Sequence, residues 1–220
     1  METQNVRQAM IKRVILILVI FAGVLQAQAK TKKFGTWIEA EFSKDIFQKL
    51  EFSIKPEVRL QDNFSVDEYL IDGQLTFKPT KFLRLAGAYR YTTDIKNEGN
   101  ETFHRFAFDV LAKKEWNRLE SSFRVRLTNY AEFDSENSKS NFLRYRLKFE
   151  YDLSNSKLRP FASYELFHDL TEKEINKGRI TLGSSYKISN KSRLGIYYRL
   201  QTYFLDRSIH ILGIQYKIDL

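Results

Sequence analysis

From residue 34 onward the chain alternates apolar and polar residues with a period of two. Residues 143–152 show it most clearly: Leu143, Tyr145, Leu147, Phe149 and Tyr151 against Arg144, Arg146, Lys148, Glu150 and Asp152. Residues 50–60 set Leu50, Phe52, Ile54, Val58 and Leu60 against Glu51, Ser53, Lys55, Glu57 and Arg59. The same rhythm runs through 83–91 and 119–128, and more weakly through 179–188 and 194–201. Successive side chains of a strand point to opposite faces, so each segment has one apolar and one polar, often charged, face.

Eleven strands are predicted: 34–43, 49–60, 69–78, 82–92, 103–112, 119–129, 142–152, 160–168, 179–188, 193–203 and 207–219. Their length of ~9–12 residues suits a tilted strand crossing a bilayer, whereas strands of soluble proteins average ~5–6. Short connections (78–81, 113–117, 154–158, 189–192) alternate with longer polar ones (61–68, 93–101, 131–141, 169–177). Membrane barrels pair short turns at one rim with longer loops at the other, and turn their apolar faces outward. Closure also leaves no backbone group unpaired in lipid. The expected fold is therefore all-β, an antiparallel up-and-down transmembrane barrel of 10–12 strands. An even count is the norm, which puts 34–43 in question as a full membrane strand.

Residues 14–25 form an apolar run after Lys12 and Arg13, and Ala27-Gln28-Ala29 follows as a small-residue cleavage pattern. This reads as a cleaved signal peptide over 1–29, with the barrel over 30–220. The run falls short of the ~20 apolar residues of a spanning helix. Either Met1 or Met10 fits as the start. Export from a Gram-negative cytoplasm to the outer membrane follows. At the far end, 213–220 is an alternating strand that resembles the C-terminal signal read by barrel-assembly machinery, with Leu220 where an aromatic residue is usual.

Composition removes several chemistries. There is no cysteine, hence no disulfide, thiolate metal site or cysteine nucleophile. Three histidines and no glycine-rich phosphate loop leave no metal site or cofactor expected. The formal charge of +9 is assigned to the barrel interior rather than to nucleic acid. The candidate lumen network comprises Arg84, Arg90, Arg124, Arg126, Arg144, Arg146, Lys148 and Arg199 with Glu57, Asp72, Asp109, Glu120, Glu150 and also Glu165. Interleaved charges can fill and stiffen a narrow interior, or line a small anion-preferring pore. Trp37, Trp116, Tyr91, Tyr130, Tyr151, Tyr197, Tyr198 and Tyr203 are read as interfacial girdles. Ser208 and His210 share an outward face with Asp206 nearby, the one arrangement that invites a hydrolase reading. It does not match the lipase-barrel motif, and no catalytic residue is assigned.

Asn141–Tyr151, Leu158–Phe167, Gly178–Gly183 and Tyr197–Gln201 resemble an uncharacterised family of Gram-negative outer-membrane barrels, a domain of unknown function. The resemblance spans essentially the whole mature chain. It implies an outer-membrane barrel and no activity. Expected partners are outer-membrane lipid and, during biogenesis, the assembly machinery; no nucleic acid is expected. The role is structural or that of a small-solute pore. A lipid-modifying barrel enzyme and a soluble periplasmic barrel for a hydrophobic ligand are the alternatives.

Overall fold

A computed structural model describes residues 31–129, 141–204 and 207–220. The leader over 1–29, Tyr130, residues 131–140 and Asp206 lie outside them. Eleven strands are present among the described residues: β1 (Thr31–Phe47), β2 (Leu50–Gln61), β3 (Val66–Phe77), β4 (Leu83–Asp94), β5 (Glu101–Trp116), β6 (Leu119–Asn129), β7 (Asn141–Tyr151), β8 (Leu158–Asp169), β9 (Glu174–Lys187), β10 (Ser192–Tyr203) and β11 (Arg207–Asp219). They close into one barrel in which each strand pairs with its sequence neighbours and β1 pairs with β11.

The expectation of an even count is corrected. There are eleven strands, and residues 31–47 form the longest, of 17 residues. An odd number of strands running up and down must meet once in parallel. That seam is β1–β11, in register from Thr31↔Arg207 to Ser43↔Asp219. On its other edge β1 pairs antiparallel with β2. With both edges of β1 occupied, the barrel has no free edge for another chain to join.

The strands also run further than the alternation suggests. β5 continues to Trp116, and only Asn117 and Arg118 separate it from β6. Asn117 takes the left-handed conformation (φ 57°), as does Asn155 (φ 55°) in the β7–β8 turn; Asn tolerates this region better than most residues. One rim carries the connections after β1, β3, β5, β7 and β9 and is called the turn rim; the other carries those after the even-numbered strands and is called the loop rim. The loops at 62–65, 95–100 and 170–173 are shorter than the polar stretches implied, so the contrast in connection length is weaker than the sequence suggested.

Side-chain parity holds around the circumference. Outward positions are apolar and exposed, as at Phe108 (67%), Ile196 (56%) and Leu212 (52%). Inward positions are charged and buried, as at Glu57, Arg59, Arg144 and Arg179. The buried apolar cluster is small: Trp37, Ile209 and Ile211, with Tyr203 packed against it.

Candidate functional site

The interior divides along the barrel axis. Towards the loop rim it is filled. Arg59 stacks on the Trp37 indole with its guanidinium carbon 4.0 Å from the ring centroid, and Arg199 covers the same ring at 4.6 Å. Phe167, almost fully buried, is flanked by Arg144 at 4.5 Å, Lys177 at 4.5 Å and Arg179 at 4.9 Å. The Lys177 ammonium also lies 5.0 Å from Tyr203 and 5.4 Å from Phe142. Cations lose their water here and regain part of that energy from aromatic faces. Gln201, with no exposed surface, accepts from Arg179 at 2.5 Å and 3.0 Å and donates to the Tyr203 hydroxyl at 2.8 Å.

From this plug towards the turn rim runs a cavity of about 650 Å³. Its wall includes Trp37 and Arg59 at the inner end, and Ser43, Arg193, Lys217 and Asp219 near the turn rim. Thirteen of the fourteen network residues line it: Arg84, Arg90, Arg124, Arg126, Arg144, Arg146, Lys148 and Arg199 with Glu57, Asp72, Asp109, Glu150 and Glu165. Glu120 does not. It faces inward nearer the turn rim, 3.0 Å from Lys113 and 3.8 Å from Arg159.

The pairing is specific. Arg90 grips Asp72 through Nε and Nη2, both at 2.5 Å, and Arg126 grips Asp109 in the same way. Such forked pairs are shorter and stronger than single contacts. Arg59 bridges Glu57 at 2.6 Å and Glu68 at 2.5 Å. Glu165 serves three guanidiniums: Arg124 at 2.6 Å, Arg144 at 3.1 Å and Arg179 at 3.6 Å. Lys148 meets Glu150 at 3.1 Å. Lys55 gathers Glu39 at 3.3 Å, Glu57 at 3.4 Å and Asp72 at 3.9 Å. Buried charges persist only when paired or hydrogen-bonded in this manner.

Several of these residues lie outside the candidate network drawn from the sequence: Glu39, Lys55, Arg59, Lys177 and Arg179. The signal was available, because each alternates in phase with the inward face of its strand. Three aromatic assignments are also corrected. Trp37 and Tyr197, read as girdle residues, are inside and each 4% exposed. Tyr203 also packs inside, whereas Trp116, Tyr91, Tyr151 and Tyr198 are exposed. Tyr197 fits because Gly213 beneath it has no side chain; a Cβ there would lie 2.0 Å from the ring. Its hydroxyl donates to Glu39.

On the outer surface, Ser208 is buried and His210 is engaged by aromatic residues. The His210 Nδ1 lies 2.5 Å from the Tyr198 hydroxyl, and the ring stacks on Phe34 at 4.9 Å. A second such pair joins Tyr89 and His104, also at 2.5 Å. These are aromatic contacts on the outer wall.

No curated protein matches this chain. A family model described as a protein of unknown function (DUF2490) matches residues 34–208, from early β1 to the start of β11 and so across nearly the whole barrel wall. The closed, charge-filled barrel therefore belongs to that family of unknown function.

Proposed function

We propose that the protein is an integral outer-membrane barrel, exported on the leader at 1–29 and closed towards the loop rim rather than open as a channel. One observation carries this reading: the wall is inverted relative to a soluble barrel. Its buried face holds Glu57, Arg59, Arg144, Glu165 and Arg179, while Phe, Leu, Ile and Tyr side chains stand exposed outside. A soluble protein rarely exposes an apolar patch larger than a few hundred Å². An apolar band encircling a closed sheet is what lipid requires. A soluble carrier of hydrophobic ligands needs the reverse, an apolar interior, and this cavity is lined mainly by charged groups.

The test places a charge in the band. Phe108→Arg and Ile196→Arg, at exposed mid-strand positions, should each cost about 2–4 kcal/mol in the bilayer. Native protein should show heat-modifiable migration in detergent gels. Recovery in the aqueous periplasmic extract, or both arginine variants as stable as wild type in lipid, overturns the membrane reading. The plug predicts no steady conductance across planar bilayers; open-channel currents from the wild-type barrel overturn the closed state alone.

A further inference from the structure

We infer that the cavity open towards the turn rim is a binding site for a multiply charged anion, seated on an arginine block on β6 and β7. Fifteen cationic and nine acidic side chains line the cavity, an excess of six positive charges. The excess is not evenly spread. Along β1–β3 the lining carries Glu39, Glu41, Glu51, Glu57 and Asp72 against Lys55 and Arg59. The opposite wall is strongly basic.

The centre of that wall is a square of four arginines. Arg124 lies directly across from Arg146, and Arg126 directly across from Arg144. Residues facing one another in this way have Cβ atoms ~4.5–5.5 Å apart, and like charges so placed repel. The register extends the strip: Arg84 on β4 faces Leu111, which faces Arg124. On the other side Arg146 faces Glu165, which faces Arg179. Lys148 follows Arg146 on the same face of β7.

The carboxylates present do not saturate this strip. Asp109 is taken by both arms of Arg126, and Glu165 is shared among three arginines. Among the described residues, Arg146 makes no ion pair and no hydrogen bond, and its Nε is buried without an acceptor; the Arg124 Nε is likewise without one. Buried donors of a guanidinium are costly to leave unmade. Arg146 thus faces, across the ladder and in one cavity, an Arg124 that Glu165 holds through Nη2 alone; together the two guanidiniums keep donors to spare for an oxyanion. Guanidinium geometry matches phosphate and carboxylate groups through paired N–H donors. A single-charge anion would leave the local excess uncompensated. The ligand class is therefore a phosphoryl or polycarboxylate anion, reaching the block from the turn rim because the loop-rim half of the interior is filled by Lys177, Phe167 and Gln201.

The binding claim concerns the interior alone and rests on the closed-barrel reading, not on where the barrel resides. The probe is inorganic pyrophosphate, titrated by calorimetry into the full-length refolded protein in detergent at low ionic strength. Saturable binding is expected, and it should raise the thermal unfolding midpoint. Arg146→Gln should weaken binding at least tenfold while leaving the unliganded barrel as stable as wild type or more so, since it removes a repelling charge. Lys157→Gln, on the β7–β8 turn outside the cavity, should bind as wild type does. The site is overturned by no saturable binding to the wild type, by unchanged affinity in Arg146→Gln, or by an equal loss in Lys157→Gln. None of these outcomes bears on heat-modifiable migration or extraction behaviour, which report on the membrane reading.

Discussion

Replacing Gly213 by alanine should destabilise the barrel through one aromatic ring. A Cβ at this position would stand 2.0 Å from Tyr197 Cζ and 2.3 Å and 2.4 Å from its two Cε atoms. Carbon atoms prefer ~3.5–4.0 Å, so the ring must retreat by about 1.5–2 Å. Its hydroxyl then loses Glu39. Overpacking a filled interior costs ~1–3 kcal/mol, and a hydrogen bond to a charged group is worth about 1.5–3 kcal/mol. Relief of glycine's conformational entropy returns roughly 0.5–1 kcal/mol. The net loss should be about 2–4 kcal/mol. Urea unfolding of the refolded protein, followed by the fluorescence of buried Trp37, measures it. In a Tyr197→Ala background nothing remains for the new methyl to strike, and Gly213→Ala should become neutral or slightly stabilising. An equal loss in both backgrounds refutes the steric account, because the coupling energy of that double-mutant cycle would then be zero.

Glu165→Gln should be among the most damaging single changes. It strips the shared carboxylate from Arg124, Arg144 and Arg179, and breaking a buried pair this way costs ~3–5 kcal/mol. A second change restoring neutrality, Arg144→Met, should recover part of it in the same denaturation assay. Asp109→Asn removes the forked contact to Arg126 and should cost about 1.5–3 kcal/mol; a loss under 0.5 kcal/mol would show that water takes over that arginine. Asn117→Ala forces a left-handed turn (φ 57°) on a residue with a Cβ and no polar group to support it. It should cost about 1–2 kcal/mol, while Asn117→Gly should be tolerated.

Parity was the part of this structure most legible in the sequence. Segments such as 143–152 specify two faces unambiguously, because a one-residue slip would turn Arg144, Arg146 and Lys148 to the outer face and bury Leu143 and Leu147 inside. Thirteen network residues therefore line one cavity. Aromatic residue type is a poorer guide to position than parity. Trp37 is in phase with Glu39, and Tyr197 with Arg199, and that phase, not the ring, decides that both sit inside. The plug was not legible, because it depends on which rings and cations from distant strands converge. Lys177 meets Phe142, Phe167 and Tyr203 from three other strands. The strand count was obscured by a general rule about even numbers, which says nothing about a chain able to close through a parallel seam.

That seam has a kinetic consequence. Every other ladder joins strands that follow one another in the chain, so each needs only a short connection to close and can zip from its neighbour. The β1–β11 ladder instead joins residues about 176 positions apart, as in Thr31↔Arg207. Its reward arrives only after the intervening wall has been ordered. Closure is thus a single late event, and the two edges it unites stay exposed until it happens. Contacts that hold the seam, such as Ser43 Oγ donating to Asp219 at 2.6 Å and the Leu220 amide donating to the Ser43 carbonyl at 2.8 Å, form only with that closure. They govern how slowly the finished barrel reopens, not how fast its hairpins form.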